Sequence, residues 1–190
     1  SGWPLALAAS AAPAAAGLVA VSRFRRIYAG SALFVMLAAL GFVVLRALDG
    51  PVWMLWLALV VVATDVLGYF AGRRFGGPKF WPRVSPKKTW SGTLAGWAGA
   101  AAVGAVFMAV TGVGPELLWM SVATAMAAQA GDLAESAVKR GAGVKDASNI
   151  LPGHGGLLDR FDGMMGAGLF VLVMHPLAGF PPAAATAAGG

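Results

Sequence analysis

Long apolar runs alternate with short polar segments along the 190 residues of the chain. Each run is continuous, rich in Ala, Leu, Val and Gly, and long enough to cross a hydrocarbon core of roughly 30 Å as a helix. Strands of a membrane barrel would instead alternate apolar and polar residues over about ten positions. The pattern therefore predicts an all-α, polytopic membrane helix bundle with about six transmembrane helices. The predicted spans are 5–21, 27–48, 51–72, 92–112, 116–135 and 164–180.

The composition also indicates a membrane environment. Hydrophobic residues make up 58% of the chain and charged residues only 12%, against about a quarter charged in soluble domains. We expect residues 1–190 to form a single membrane-embedded domain, in which 1–26 hold a first span and a basic loop. The chain has no cysteine, which excludes disulfides, thiolate metal ligands and cysteine nucleophiles. Because the sequence opens on Ser1 rather than Met, we expect the natural start to lie upstream.

Basic residues orient the predicted bundle, since Lys and Arg accumulate on the cytoplasmic side of membrane proteins. Thirteen of the fourteen basic residues fall on one side of the six spans, and only Arg46 falls on the other. The long connections 73–91 and 136–163 then face the cytoplasm, where we expect them to act as active-site loops. Nucleic-acid binding is not indicated, because these residues lie between apolar runs. The thirteen are Arg23, Arg25, Arg26, Arg73, Arg74, Lys79, Arg83, Lys87, Lys88, Lys139, Arg140, Lys145 and Arg160.

Six of the eight acidic residues lie on the same side as the basic ones. A carboxylate within hydrocarbon costs roughly 2.5–3.5 kcal/mol on insertion scales, so it usually faces the bundle interior or an aqueous cavity. Asp65 fits this description, although an ion pair with Arg73 would explain it about equally well. The six acidic residues are Asp65, Asp132, Glu135, Asp146, Asp159 and Asp162.

The end of the fifth span carries polar residues on one helical stripe, at offsets of three, seven and ten. An ordinary pair between Glu135 and Lys139, four residues apart, is the simpler interpretation of this region taken alone. The residues of the stripe are Gln129, Asp132, Ser136 and Lys139.

The segment 145–163 combines carboxylates, bases and glycines. Asp159 and Asp162 are three residues apart, so on a helical turn both point the same way, as the sharing of one hard cation requires. The glycines around His154 would let backbone N–H groups approach an anion. Helix capping by an aspartate and turning by the glycines remain the alternatives.

The other connection contains SPKKTWSG, residues 85–92, in which two adjacent lysines and hydroxyl-bearing residues precede a span. Alone it is better explained as a positively charged membrane anchor. We expect His175, beside Pro176, to be structural. Carboxylates that can hold Mg²⁺ beside Lys and Arg, without a serine or cysteine triad, favour transfer at phosphorus. The absence of a Walker sequence argues against a P-loop kinase.

The segment SAVKRGAGVKDASNILPGHGGLLDRFDG, residues 136–163, resembles the signature of the phosphatidate cytidylyltransferase family. Residues 131–136, 85–90 and 65–77 are similar to further blocks of that family, although Ser91 stands where the family often has Glu. The resemblance implies an enzyme of phospholipid biosynthesis in the bacterial inner membrane. It would join CTP to phosphatidic acid, giving CDP-diacylglycerol and pyrophosphate.

The resemblance also implies roles for individual residues. CTP, phosphatidic acid and membrane lipid are the implied partners, Mg²⁺ is the implied cofactor, and a second cation and a homodimer are left open. The implied metal ligands are Asp132, Asp146, Asp159 and Asp162, and the implied catalytic residues are Asp146, Asp159, Asp162 and Lys145. The implied substrate contacts are Ser85, Lys87, Lys88, Ser136, Lys139, Arg140, His154, Gly155 and Arg160.

Three other functions compete with this one. A cytidylyltransferase for another lipid phosphate would share the same motifs. A transporter of an anionic substrate would place its charges near the bilayer midplane, whereas these gather at one face. A noncatalytic scaffold would not explain the clustered acidic residues.

Overall fold

The structure is a computed structural model that describes residues 3–20, 25–141, 143, 158–180 and 182. Six helices and one β-hairpin account for most of this part of the chain. The helices are α1 (Trp3–Ala20), α2 (Arg25–Val44), α3 (Pro51–Phe75), α4 (Trp90–Thr111), α5 (Glu116–Gly141) and α6 (Leu158–Ala178). The hairpin pairs β1 (Lys79–Trp81) with β2 (Ser85–Thr89), and a π-helical turn (Leu45–Asp49) extends α2.

The prediction of an all-α membrane helix bundle is confirmed. Within the described residues, four helical segments are long and apolar enough to cross a membrane. Helix α5 is not among them because its second half is polar, but it packs between α4 and α6. The four segments are Arg25–Asp49, Pro51–Phe75, Trp90–Thr111 and Phe161–Ala178.

Local sequence signals set several helix ends. Gly50, with φ of 95°, turns the chain before α3, and Pro51 starts that helix with its φ already restricted to helical values. The side chain of Thr89 caps α4 by accepting a hydrogen bond from the backbone N–H of Gly92 at 3.3 Å. Gly112 ends α4 in the left-handed conformation.

The connection 73–91, expected as a loop, is more ordered than the hydropathy pattern suggests. Part of it forms the antiparallel hairpin, which places the ring of Phe80 4.8 Å from that of Trp90. The Ser91 hydroxyl donates to the carbonyl of Gly76 and ties the two ends of the connection together. The hairpin therefore holds the segment that follows α3 against the start of α4.

The connection 136–163 is also shorter than expected, because α5 continues to Gly141 and α6 begins at Leu158. Hydropathy places the end of a span where charged residues begin. The backbone hydrogen bonds of a helix persist beyond that point, since charged residues in water do not break them. Both helices therefore extend past the apolar regions that predict them.

Close backbone contacts hold neighbouring helices together. A Cβ added at Gly92 of α4 would lie 2.5 Å from the carbonyl oxygen of Gly68 in α3. A Cβ added at Gly131 of α5 would lie 2.8 Å from the Cα of Gly166 in α6. Small residues at these crossings let the helix backbones approach closely, as is common in membrane bundles.

Candidate functional site

A cavity of about 480 Å³ lies between α3, the hairpin and the start of α4. Its volume is within the range of small-molecule sites, about 300–1,000 Å³. The hairpin contributes basic residues to one side, and the helices contribute hydroxyl, amide and carboxylate groups to the other. The lining residues are Thr64, Asp65, Gly68, Tyr69, Gly72, Arg73, Lys79, Pro86, Lys87, Lys88, Thr89, Gly92, Thr93 and Gln129.

Asp132 joins this cavity to α6. One of its carboxylate oxygens forms an ion pair with Lys88 of the hairpin, and the other accepts a hydrogen bond from the Ser136 hydroxyl at 3.4 Å. The carboxyl group of Asp162 lies within hydrogen-bonding reach of Asp132. Two ionised carboxylates repel each other, so this approach requires a proton or a cation between them.

The crossing of α5 and α6 creates this meeting of carboxylates. A Cβ added at Gly131 would lie 2.7 Å from the carbonyl oxygen of Asp162. The neighbouring Asp132 is therefore carried directly to the start of α6. The backbone N–H of Gly163 donates to Oδ1 of Asp162 at 2.6 Å and orients that carboxylate. The glycine contact thus serves the site as well as the packing.

Asp65 faces the cavity rather than forming the arginine pair considered from the sequence. Its charged neighbours are Lys88 and Asp132. Arg73 instead donates to the hydroxyl of Tyr69 at 3.2 Å. Within the described residues, no ion pair joins Asp65 to Arg73. A carboxylate in a membrane helix that opens to an aqueous cavity is the arrangement expected for a functional group.

Gln129, on the polar stripe of α5, was not among the predicted site residues, yet it lines the cavity. Its side-chain oxygen accepts a hydrogen bond from the indole N–H of Trp97 at 3.0 Å. Thr64 and Thr93 line the cavity beside it and are buried. The signal that would have found them is a polar side chain inside an otherwise apolar span.

Of the other predicted substrate contacts, some line the cavity and some do not. Lys87 lines the cavity, whereas Ser85 begins β2 and is not among the lining residues. Lys139 forms an ion pair with Glu135 at 3.5 Å. This agrees with the simpler interpretation of two opposite charges four residues apart on a helix. Arg140 lies in the last turn of α5. His175 pairs with Asp49 at 3.5 Å, which agrees with a structural role.

The remaining predicted residues lie outside the described part of the chain. These are Lys145, Asp146, His154 and Gly155, together with the side chains of Asp159 and Arg160. Among the residues that the structure does describe, no group of three or more His, Asp or Glu side chains is placed to hold a metal ion. The predicted four-aspartate metal site therefore stays a prediction, of which Asp132 and Asp162 are seen together.

Known proteins share sequence with this chain. A sequence model of the cytidylyltransferase family matches residues 6–178. The chain is 48% identical over 116 residues to a phosphatidate cytidylyltransferase of Brucella abortus. This match covers 59% of this chain and 42% of the relative. The chain is 39% identical over 129 residues to the phosphatidate cytidylyltransferase of Bacillus subtilis. This match covers 65% of this chain and 48% of the relative. The matched region spans less than half of each of these relatives.

Proposed function

Because this chain belongs to the cytidylyltransferase family, we propose that it transfers the cytidylyl group of CTP to phosphatidic acid, giving CDP-diacylglycerol and pyrophosphate. The observation that carries the proposal is the meeting of Lys88, Asp132 and Asp162 beside one cavity. These residues come from three distant parts of the chain. Opposite charges gathered at one end of membrane helices suit the binding of two anionic substrates.

In the proposed reaction, a phosphate oxygen of phosphatidic acid attacks the α-phosphorus of CTP. The bond from that phosphorus to the bridging oxygen breaks, and pyrophosphate leaves with the electron pair. The attacking oxygen is already anionic near neutral pH, so no strong general base is needed. Lys87 and Lys88 would neutralise the charge of the phosphates and hold them in line.

The described residues fit a divalent cation. Asp132 and Asp162 supply carboxylate oxygens, the ligands that Mg²⁺ prefers. Their mutual approach needs a balancing positive charge. We propose that these two residues hold Mg²⁺ together with Asp146 and Asp159. When bound, the metal would neutralise charge that develops on the phosphate oxygens.

We also propose that the hairpin end of the bundle faces the cytoplasm across the bacterial inner membrane. The basic residues of the hairpin and of the last turns of α3 and α5 support this orientation. The lipid substrate would then keep its acyl chains in the inner leaflet while its phosphate reaches Asp132 and Asp162. CTP would enter from the aqueous side.

The proposal is tested by incubating the purified protein in lipid nanodiscs with labelled CTP, Mg²⁺ and phosphatidic acid. The expected products are CDP-diacylglycerol and pyrophosphate in equal amounts. A parallel reaction with an ether-linked lipid phosphate tests the related substrate class. If a folded, helical protein produces a CDP-lipid from neither lipid, the proposed function is wrong.

A further inference from the structure

The amide of Gln129 has a defined orientation. An indole N–H is only a donor, so the hydrogen bond from Trp97 at 3.0 Å must end on the amide oxygen. The amide nitrogen lies on the other side of the group, where a Cβ added at Gly96 would be 3.1 Å from it. Gln129 lines the cavity, and because its oxygen is engaged by Trp97, its amide nitrogen is the group left to donate to a ligand there.

Asp65 offers the opposite chemistry to the same cavity. An ionised carboxylate only accepts hydrogen bonds. Lys88 is a charged neighbour of Asp65, although its ion pair is with Asp132. The cavity thus combines the lysines of the hairpin with the amide of Gln129 and the carboxylate of Asp65, among other helix residues. A ligand that fits it carries phosphates at one end and both an acceptor and a donor at the other.

We propose that this part of the cavity recognises the base of the nucleotide, with Gln129 donating to a ring carbonyl oxygen and Asp65 accepting from an exocyclic amine. This inference rests on the proposed function, in which the nucleotide is CTP. Cytosine presents both groups, whereas uracil carries a carbonyl in place of the amine. With UTP, two acceptors would face each other at Asp65. Asp65 and Gln129 would therefore determine the preference for CTP.

The first test changes the substrate and leaves the protein intact. Rates are measured with CTP, with UTP, and with a CTP analogue in which hydrogen replaces the 4-amino group. We expect kcat/KM for CTP to exceed that for either competitor by at least about tenfold, because a site built to bind a donor rejects a ligand without it. If CTP and the analogue are turned over equally well, base recognition by this cavity is wrong, but the proposed function is unaffected. Lack of turnover with CTP would overturn the proposed function.

The second test changes Asp65. In Asp65→Asn the amide can either accept from cytosine or donate to uracil, so the ratio of kcat/KM for CTP to that for UTP should fall by about tenfold or more. A uniform loss with both nucleotides and an unchanged ratio would instead assign Asp65 to the phosphates or the metal. That result would overturn the inference.

The third test releases the amide of Gln129. Trp97→Phe removes the N–H but keeps an aromatic ring, so the amide can flip and present its oxygen to the base. We expect the KM for CTP to rise by about threefold to tenfold, with little change in kcat. Trp119→Phe is the matched control, because the Trp119 side chain is half-exposed on α5 and does not line the cavity. Equal KM values in the two variants would contradict the assigned role. If Trp97→Phe does not fold, the comparison of CTP with its analogue in the unsubstituted protein still tests whether the cavity recognises the base.

Discussion

At the residue scale, the site depends on a small set of opposite charges held within contact distance. Asp132 is the centre of this set, because it meets Lys88, Ser136 and Asp162 at once. These charges lie close enough to influence one another directly. Removing one charge therefore changes the electrostatic environment of the others.

Asp162→Asn should lower turnover at least about 100-fold, because it removes a charged oxygen ligand from the proposed metal site. Insertion into the membrane should not change, since the substitution keeps the shape of the side chain. The measurement is CDP-lipid formation per mole of purified protein. Glu116→Gln, at the other end of α5, is the control and should keep the unsubstituted activity. Comparable rates in both variants would exclude Asp162 from the site.

Lys87→Ala should raise the KM for CTP by about tenfold, because Lys87 lines the cavity and would neutralise triphosphate charge. The rate at saturating CTP should change less than the KM. Arg46→Ala, a basic residue away from the hairpin, serves as the control. An unchanged dependence on CTP concentration would remove Lys87 from the nucleotide site.

At the scale of elements, two helix crossings bring the functional side chains together. The contact of Gly68 with Gly92 places α3 against the start of α4 and shapes the cavity. The contact of Gly131 with Gly166 brings Asp132 beside the start of α6. Both crossings leave no room for a side chain, so their geometry is sensitive to a single added methyl group.

Gly131→Ala should destabilise the bundle by about 1–3 kcal/mol, since the new methyl group must push α6 away from α5. The same movement should separate Asp132 from Asp162 and lower activity. Thermal unfolding in detergent, followed by circular dichroism, measures the first effect. Gly30→Ala is the matched control: among the described residues, no atom outside its own stretch of helix lies within 4 Å of its added Cβ, and alanine there favours the helix by up to about 1 kcal/mol. Equal melting temperatures would show that the crossing tolerates a side chain.

At the scale of the whole molecule, the bundle has two chemically different ends. The hairpin end carries the cavity and its basic residues, whereas α4 and α5 are joined at the other end by the short segment 112–115. This asymmetry is what the proposed topology predicts. Under the proposed function, the hairpin end would be the face that binds the soluble charged substrate.

The topology is tested with single cysteines, because the chain has none of its own. Arg83→Cys places a thiol in the exposed turn of the hairpin, and Glu116→Cys places one at the start of α5. In intact cells, a maleimide that cannot cross the inner membrane should label Glu116→Cys alone. Arg83→Cys should react only after permeabilisation. The reverse labelling pattern would invert the proposed orientation.

The amino-acid sequence by itself determined the helical membrane bundle and the family, and it predicts that the basic residues gather on one side. These follow from local properties: an apolar run favours the bilayer wherever its neighbours lie, and a motif is contiguous in the chain. The approximate limits of the spans follow for the same reason. The helix ends beyond them do not, because hydropathy detects the limits of the hydrocarbon core and not of the hydrogen-bonded helix.

Tertiary structure alone decided which of the candidate residues meet. The sequence left two interpretations of Asp65 with about equal weight, a group facing the interior or a cavity and an ion pair with Arg73. Only the packing of α3 against the hairpin placed it near Lys88 and Asp132. The sequence predicted Asp132 and Asp162 as ligands without showing that a glycine crossing brings them together. The fixed amide of Gln129 depends on a tryptophan 32 residues away. Contacts between distant segments depend on which helix faces pack, and no single segment carries that information.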